Sequence, residues 1–351
     1  MKILVIALSG IGDALMFTPA LSLLRKSWPD AEIDALVMFE GAADIFKNNP
    51  NINHIHHFNF INEGYYKSLM YLLKVRGNYN ISINVYPSNR KEYNIINWMV
   101  GARKRVAVKY LRSDFSNFGF LNNVKVLEND DTHNVETNLK MCEVLLNGKV
   151  DSQSPLEIYF EAEDVDYAKS FFNSNNITQN DLVIGFHPGC ATFKNHFKRR
   201  WEPEKFSSLG KKLVDEFNAK ILIFGGLDEM ELKENILTGI NSPDAFIINT
   251  ETILQSSAIM KRCNVFVTND SSQMHVAAAL QLNVVAIIGP TNSNYIYPWK
   301  TEHEIVSLNL DCAPCFFYSP RPLICTRDDV EFKCIKELSV EMVYQAVKKY
   351  L

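Results

Sequence analysis

Residues Thr268 to Trp299 read TNDSSQMHVAAALQLNVVAIIGPTNSNYIYPW, and they decide the architecture of the second half of the chain. Just before them, Asn264 to Val267 form a β-branched and aromatic run that predicts a buried strand, and Val276 to Leu280 predict a tight, Ala-rich helix. A second strand, Val284 to Ile288, ends at a polar loop that begins with Gly289. A strand, a helix and a second strand in this order predict one unit of a parallel α/β sheet.

The turn between the first of these strands and the helix carries Asp270, Ser271, Ser272 and His275. Asp or Ser at such a turn caps the helix, and the backbone N–H groups at the helix start attract anions. In an open parallel sheet, ligands bind beyond the carboxyl ends of the strands, so this turn and the loop Gly289 to Asn294 are expected to line one crevice. We predict that a nucleotide diphosphate binds there. An isolated His beside an apolar face is usually a core residue, and only the nearness of Asp270 indicates a site role for His275.

Strand and helix patterns alternate over the rest of the chain. Strand patterns in the first half cover Ile3 to Leu8, Ile33 to Met38, Ile52 to Phe58, Ile81 to Tyr86 and Arg105 to Val108. Helical patterns cover Ala14 to Ser27, Ala42 to Lys47, Tyr65 to Val75, Tyr93 to Val100 and Val135 to Leu146. In the second half, strands at Leu182 to Phe186, Lys220 to Phe224 and Ala245 to Asn249 alternate with helices at Pro203 to Phe217, Glu229 to Leu237 and Thr252 to Arg262. The polar, aperiodic segment Leu111 to Asp131 is predicted to be a long loop.

This alternation predicts an α/β protein with two Rossmann-like, doubly wound domains, residues 1–155 and residues 165–335. A polar stretch at 149–164 is interpreted as the linker between them. The cleft between two such domains is the default position of an active site. The last segment, 336–351, contains a helix from Val340 to Leu351 that is expected to pack back on the first domain.

Composition excludes several classes of protein. The 351 residues are 47% hydrophobic, which is enough for two packed domains, and the formal net charge of -4 argues against a surface devoted to nucleic acid. Apolar runs fall short of the roughly 18 residues that a membrane span needs, so any membrane contact is expected to be peripheral, at the inner face of the cytoplasmic membrane. The run from Ile3 to Leu8 leads directly into a Gly-rich turn and is interpreted as the first strand of a cytoplasmic protein, not as a signal segment.

The first turn after that strand contains Gly10, Gly12 and Asp13. Two glycines allow a tight turn and suggest a dinucleotide fingerprint, but Leu15 occupies the place of the third glycine, so NAD binding is not expected. Asp13 has two interpretations: it caps the following helix, or it accepts a proton from a hydroxyl at the carboxyl end of the strand.

Two further turns in the second half carry charge. His187 ends one strand, and the loop after it brings five potential cations between Lys194 and Arg200, among them Lys198 and Arg199. Such a run is either a solvated basic face or the partner of a diphosphate leaving group, whose developing charge requires cations. Asp228 and Glu229 follow Phe224-Gly225-Gly226, where an acidic residue meets a ribose diol or caps the helix.

Two other clusters are open to more than one interpretation. Four of the seven cysteines crowd one C-terminal segment with the spacing C-x2-C-x9-C-x8-C, at Cys312, Cys315, Cys325 and Cys334. Four thiolates suit a structural zinc or iron ion, but free thiols or disulfides are equally compatible with the spacing. Basic residues also form a strip in the first half, at Arg103, Lys104, Arg105, Lys109 and Arg112, which either meets an anionic acceptor or is solvated.

Six motifs taken together resemble glycosyltransferase family 9, whose best-known members are the lipopolysaccharide heptosyltransferases. They are Gly12-Asp13 in the first turn, His187-Pro188-Gly189, the basic run ending in Arg200-Trp201-x-Pro203, Phe224-Gly225-Gly226 with acidic residues after it, Thr268-Asn269-Asp270-Ser271-x-x-Met274-His275, and Gly289-Pro290-Thr291-Asn292 with a following Pro298-Trp299. Their order and spacing match over nearly the whole chain.

The resemblance implies a GT-B architecture, with the acceptor on the first domain and the nucleotide sugar on the second. Members move heptose from ADP-heptose to a lipopolysaccharide core sugar, with inversion and without a catalytic metal. Asp13 matches the family's general base, while Asp270 and His275 match its signature turn. By the same analogy, Arg199 and Lys198 contact the diphosphate, and Asp228 or Glu229 holds the ribose.

The chain also departs from the family pattern. Ser272 stands where members usually have Gly, Gln273 where Pro is common, and Arg199 where a Lys is usual. Some protein heptosyltransferases of the family hold iron near the cysteine cluster, so the cluster does not choose between lipid and protein acceptors. The alternatives are therefore another nucleotide sugar, another glycan or a protein acceptor, or a non-catalytic nucleotide-binding or metal-sensing protein.

Overall fold

The structure is a computed structural model, and it describes residues 1–148, 154–317 and 322–351. These residues form two compact units, each built on one six-stranded sheet. The first unit consists of Met1–Tyr159 with Asn294–Ile296, apart from the residues that are not described. The second consists of Phe160–Ser293, Tyr297–Phe317 and the described C-terminal residues.

The first unit alternates strands with helices from its first residues. Its elements are β1 (Lys2–Ala7), α1 (Ile11–Ser27), β2 (Glu32–Val37), α2 (Glu40–Lys47), β3 (His54–His57), α3 (Gly64–Val75), β4 (Ile81–Asn84), α4 (Lys91–Val100), β5 (Lys104–Lys109), β6 (Val124–Leu127) and α5 (Asn134–Leu146). The strands are parallel and lie in the order β3-β2-β1-β4-β5-β6. Strands β1, β2 and β4 are buried nearly throughout, as expected where helices cover both faces of a parallel sheet.

The second unit repeats this plan. Its elements are α6 (Ala162–Ser174), β7 (Val183–His187), α7 (Pro203–Phe217), β8 (Lys220–Ile223), α8 (Met230–Ile240), β9 (Ala245–Ile247), α9 (Ile253–Met260), β10 (Val265–Asn269), α10 (Ser272–Ala279), β11 (Asn283–Ile287), β12 (His303–Val306), α11 (Lys333–Lys336) and α12 (Val340–Lys348). These strands are also parallel, in the order β12-β11-β10-β7-β8-β9.

Each sheet has one topological switch point. The strand order reverses between β1 and β4 in the first sheet, and between β7 and β10 in the second. Ligands of doubly wound sheets bind outside the carboxyl ends of the strands at such a point. The predicted α/β class with two doubly wound, Rossmann-like domains is confirmed.

Several sequence predictions need correction. The predicted loop Leu111 to Asp131 contains β6, a short strand that its polar surroundings conceal, and α10 begins at Ser272, four residues earlier than the Ala-rich run indicates. Residues 149–153 of the predicted linker lie outside the described residues, and its last residues, from Ala162, are already the first turn of α6.

The C-terminal helix also differs from its prediction. The structure places α12 in the second unit, where Val343 and Val347 join a core cluster with Trp201, Phe206 and other buried side chains. Its apolar face is therefore covered by α7 and by strands β11 and β12. We expected residues 336–351 to pack on the first domain, but the structure packs this helix on the second unit. In the described part of the chain, no helix combines the length and the apolar character that a bilayer span requires.

Candidate active site

The carboxyl ends of β7 and β10 meet at the switch point of the second sheet. Asn269 ends β10, and its side chain accepts the backbone N–H of Trp201 at 3.0 Å and donates to the carbonyl of Pro188 at 2.6 Å. Trp201 is fully buried, and its indole N–H donates to the carbonyl of Leu338 at 2.8 Å. One amide thus fixes the basic segment before Trp201 against the turn after β7.

Arg199 and Asp270 form a buried ion pair at this edge. The same Arg199 nitrogen, Nη1, lies 3.3 Å from Thr291 Oγ1, and Thr291 donates to Asp270 Oδ2 at 2.6 Å. The guanidinium also lies over the ring of Phe316, at 5.5 Å from the centroid. Its Nε is buried without a hydrogen-bond partner. The sequence predicted Arg199 and Asp270 separately, and the structure joins them through Thr291, a residue that the GPTN motif contained without an assigned role.

A second chain of contacts runs from Ser271 through His187 to Glu229. Ser271 Oγ lies 2.9 Å from His187 Nδ1, and His187 Nε2 lies 3.4 Å from Glu229 Oε2. His187 is the last residue of β7, and Glu229 and Ser271 lie in the turns after β8 and β10. The carboxylate at Nε2 favours a proton on that nitrogen, which leaves Nδ1 to accept the Ser271 hydroxyl hydrogen.

Glu229 also binds Arg200, whose Nη2 donates to the carboxylate at 2.9 Å and to the Cys190 carbonyl at 2.7 Å. Burial alone would raise the pKa of Glu229, but the hydrogen bond and charge of His187 and the charge of Arg200 outweigh it and hold the pKa below its usual value. Gly189 faces this carboxylate so closely that a Cβ there would lie 1.8 Å from Glu229 Oε1. Glycine is therefore required in the HPG motif to make room for Glu229.

A buried lysine, which the sequence did not predict as a site residue, stabilises the Gly225-Gly226 turn after β8. Lys233 Nζ donates to the carbonyls of Gly225 at 3.0 Å and Ile248 at 3.1 Å, and burial lowers its pKa. The helical pattern of α8 gave no signal for this role, because a lysine in a helix is usually a surface residue. Asp228, one residue before Glu229, is exposed in the same turn.

His275 lies in the first turns of α10 and is buried, with Nδ1 lacking a hydrogen-bond partner. Burial lowers the pKa of His275 to about 4, although the charge of Asp270 opposes the shift. The imidazole is consequently neutral at neutral pH. Ser272 is the first residue of α10, so the helix start lies directly beside Asp270 and Ser271.

Lys198 lies apart from these groups. Its ammonium is 3.6 Å from Glu331 and within 6 Å of the rings of Phe197 and Phe332. The side chain is partly exposed, and an ion pair of this length fixes it only weakly. The structure therefore does not bring Lys198 to the Arg199–Asp270 pair, where the sequence had placed it.

In the first unit, Asp13 is the third residue of α1, and Gly12 before it is buried. The Asp13 carboxylate accepts the backbone N–H of Gly10 at 3.3 Å, as a helix-capping residue does. Two tyrosines lie close enough to Asp13 to feel its negative charge. Burial raises the pKa of Tyr93 and of Tyr110, and the charge of Asp13 raises both further. Asp13 is thus a carboxylate at the carboxyl edge of β1, next to the switch point of the first sheet.

The predicted basic strip is divided by β5. Arg103 and Lys104 lie at the amino-terminal end of this strand and Lys109 at its carboxyl end, the edge where Asp13 follows β1. Arg105 donates to the backbone carbonyls of Leu121 and Ala102. Arg103 and Arg105 are therefore on the wrong edge of the sheet for an acceptor bound beside Asp13. At the carboxyl edge, the guanidinium of Arg112 is paired with Asp130 at 2.9 and 2.6 Å.

The four clustered cysteines form no disulfide. Burial, aided by the charges of the other three thiols, raises the pKa of Cys334 to about 11. Cys325 Sγ accepts the backbone N–H of Phe332 at 3.2 Å. The donor set suits zinc or iron, but in the described part of the chain no three of these sulfurs lie within 4.8 Å of one another. The charges of neighbouring thiols raise the pKa of both Cys315 and Cys334, so the four cysteines share one region of the second unit.

One other group of metal-binding side chains does converge. Among the described residues, Glu32, Asp34 and His54 place one ligand atom each within 4.8 Å of the others, at the amino-terminal edge of the first sheet. Lys2 already neutralises Glu32 through an ion pair of 2.8 Å. This group lies on the edge opposite to Asp13.

The chain matches the family model described as glycosyltransferase family 9 (heptosyltransferase) over residues 75–321. It is 26% identical to lipooligosaccharide heptosyltransferase 2 of Campylobacter jejuni serotype O:2, over all of this chain and 98% of that protein. Among solved structures, a family 9 glycosyl transferase from Veillonella parvula superposes with a TM-score of 0.78 at 24% identity, covering 99% of this chain and 96% of the other. The Escherichia coli ADP-heptose LPS heptosyltransferase II superposes with a TM-score of 0.74 at 22% identity, covering 100% and 98%. The two superpositions establish the fold.

Proposed function

Because the chain belongs to glycosyltransferase family 9 and is a glycosyltransferase, we propose that it moves a heptose from ADP-heptose to a hydroxyl of a lipopolysaccharide core sugar. The relatives named above are heptosyltransferases, and one solved relative is named for ADP-heptose and lipopolysaccharide. The observation that carries the proposal is the Arg199–Asp270–Thr291 cluster at the start of α10, on the switch point of the second sheet.

The diphosphate of the donor binds at this cluster. Asp270 alone would repel a phosphate, but its pairing with Arg199 cancels that charge and holds a guanidinium at the start of α10. The N–H groups at the start of α10 and the hydroxyls of Ser271 and Ser272 complete the anion site. As the bond to the sugar breaks, these groups stabilise the charge that develops on ADP, a role that needs no metal ion.

The ribose of the donor binds at the turn after β8. Asp228 is the exposed carboxylate of that turn, whereas Glu229 is engaged by His187 and Arg200. We assign the diol contact to Asp228 and a positioning role to Glu229, which orients His187 and through it Ser271.

Asp13 acts as the general base. It takes the proton of the acceptor hydroxyl, the oxygen attacks the anomeric carbon from the face opposite ADP, and the configuration inverts. The carboxylate is held in place by the Gly10 N–H at the start of α1, so its orientation is fixed before the acceptor binds.

The experiment that tests this function measures the release of ADP from ADP-heptose in the presence of a heptose-deficient lipopolysaccharide core. ADP released only when both substrates are present supports the transfer. A thermal-shift series with ADP-, UDP- and GDP-sugars identifies the donor, since a ligand that binds only the folded state raises the melting temperature. Unchanged turnover after dialysis against EDTA is expected for a metal-independent reaction, and metal analysis of the same sample reports on the cysteine cluster.

Two alternatives remain separable by the same measurements. A transferase that uses another sugar or a protein acceptor would release its nucleotide only with that substrate. A nucleotide-binding or metal-sensing protein would show thermal shifts without any release of ADP.

A further inference from the structure

The outward face of α3 is apolar, whereas a surface helix normally turns polar residues outward. Leu72 and Val75 face the core of the first unit, and Tyr66, Met70 and Leu73 lie about 180° away on the helix, at 3.6 residues per turn. Tyr66 is 76% exposed, and Met70 and Leu73 are 50% exposed each. These three side chains form one stripe along the exposed side of the helix, joined by Leu69. Tyr65 is seven residues before Leu72 and lies outside the stripe, exposed at the first turn of the helix.

Lysines flank this stripe along one side. Lys67 and Lys74 are seven residues apart, so they lie on the same side of the helix, next to Met70. The arrangement of apolar and aromatic side chains beside lysines is typical of helices that lie in the headgroup region of a membrane. There the rings and aliphatic groups enter the acyl boundary while the lysine ammonium groups remain at the lipid phosphates.

The surroundings of α3 carry an unusual excess of positive charge. Residues 63–105 contain eight Lys and Arg side chains and two carboxylates, Glu63 and Glu92, in a chain whose formal net charge is -4. Glu63 pairs with Lys67 at 2.8 Å, which leaves the other basic side chains in excess. The eight are Lys67, Lys74, Arg76, Arg90, Lys91, Arg103, Lys104 and Arg105. A second copy of the chain would present the same positive charge, so two such faces would repel each other, whereas an anionic surface would attract them.

More aromatic rings are exposed in the elements that follow α3 in the first unit. Helix α4 packs against α3, and its Trp98 is 45% exposed beside Arg76, whose guanidinium lies 5.8 Å from the ring centroid. On the other side of α4, the segment after β5 exposes Phe115 and Phe120, whose ring centroids are 5.4 Å apart.

We propose that α3, with its flanking lysines and Trp98, docks the first unit on an anionic lipid surface. The occupant is the headgroup layer of a bilayer rich in anionic phospholipid, with Tyr66, Met70 and Leu73 inserted and Lys67 and Lys74 at the phosphates. The proposal rests on the surface of the first unit alone and not on the transfer reaction. A protein that acts on a lipid-linked acceptor would gain from such docking, because the acceptor is then already concentrated at the surface.

The test is co-sedimentation of the full chain with vesicles of phosphatidylcholine containing one-quarter phosphatidylglycerol, compared with pure phosphatidylcholine. Binding should require the anionic lipid and fall as salt is added. The pair Lys67→Gln/Lys74→Gln should weaken it about thirtyfold, because each cation near such a surface contributes about a factor of five. The pair Met70→Gln/Leu73→Gln should weaken it at least tenfold, and in that variant the remaining binding should keep its salt dependence.

Matched controls carry the same changes on the second unit. Lys211→Gln/Lys348→Gln removes the same net charge, and Met342→Gln replaces an exposed apolar side chain of α12. Both should sediment like the wild type. Brominated lipid should quench tryptophan fluorescence on binding, and Trp98→Phe should abolish that quenching while Trp28 and the other two tryptophans remain.

Four outcomes would overturn the proposal. They are equal binding to neutral and anionic vesicles, no binding to either, full binding by the α3 variants, and a dimer in solution that the Met70→Gln/Leu73→Gln variant dissociates. ADP affinity should be unchanged in the α3 variants, and vesicle binding unchanged in Asp13→Asn, so a failure of this proposal is distinguishable from a failure of the transferase function.

Discussion

The carboxyl edges of the two sheets have the same topology and opposite chemistry. At the switch point of the first sheet, Asp13 is held by the backbone N–H of Gly10 and has tyrosines in its field. At the switch point of the second, buried carboxylates are each paired with arginine, Asp270 with Arg199 and Glu229 with Arg200. In the proposed function, the first edge serves proton transfer and the second binds the diphosphate of the donor. The fold alone assigns neither role, and the residues on the turns do.

If Asp13 is the base, its replacement produces the largest effect on turnover. Asp13→Asn keeps the shape and the cap to Gly10 but lacks the basic lone pair, so kcat should fall by about two orders of magnitude or more. ADP affinity, measured by calorimetry, should remain that of the wild type. Asp228→Asn serves as the contrasting variant, since it should weaken ADP binding with a smaller effect on kcat. Wild-type turnover in Asp13→Asn would remove Asp13 from the reaction.

The Arg199–Asp270 pair provides a test of the charged edge. Arg199→Met leaves the buried Asp270 carboxylate without its cation, and such a loss destabilises the folded state by about 3–5 kcal/mol. ADP affinity should fall at least tenfold in the same variant, because the guanidinium is the cation of the anion site. In the double variant Arg199→Met/Asp270→Asn, no uncompensated charge remains, so the free energy of unfolding should largely recover while the ADP affinity does not.

Lys198→Met is the matched control, because Lys198 is adjacent in sequence and has only a loose, partly exposed ion pair with Glu331. Its effect on unfolding should stay below about 1 kcal/mol. If unfolding in urea shows the double variant to be as unstable as the sum of the two single variants, the stabilities are independent and the pair does not act as described.

The sequence predicted the two sheets and most of the residues at their carboxyl edges, but not the contacts between those residues. Alternating strand and helix patterns located both sheets, because buried parallel strands are continuous apolar runs that are easily recognised. Strand β6 was missed because its surroundings are polar, and α6 because its acidic start resembled a linker. Ser271, His187 and Glu229 were each named as site residues, but their chain of contacts joins positions 42 to 84 residues apart, and spacing along the sequence does not show which turns touch.

Residue type alone does not reveal the role of a side chain where burial decides it. Lys198 and Arg199 looked equivalent in the basic run, yet one faces Glu331 and the other the buried Asp270. The basic strip was treated as one surface although a strand was predicted within it, at Arg105 to Val108. Strand β5 is about 16 Å long, and it separates the two ends of the strip. Lys233 was missed for the opposite reason. No sequence motif marks it, yet it is buried in the core and its ammonium group binds the turn after β8.

His275 offers a smaller test, through the dependence of stability on pH. Its pKa is about 4 in the folded protein because burial opposes the charged form, against 6.5 as the ordinary value. Between these values the unfolded chain binds more protons than the folded one, so this residue lowers stability as pH falls from 6.5 toward 4. At pH 5 the loss amounts to about 2 kcal/mol. His275→Gln should therefore lose less stability than the wild type between pH 7 and pH 5, as measured by urea unfolding.

Saturating ADP sharpens this test. If the diphosphate binds at the start of α10, its negative charge favours the imidazolium of His275 and raises the pKa toward the ordinary value. The difference in pH dependence between the wild type and His275→Gln should then shrink when ADP is present, and ADP should bind the wild type more tightly at pH 5 than at pH 7 relative to the variant. A difference that ADP leaves untouched would place the diphosphate away from His275, and the anion site would have to be sought at another turn of the second sheet.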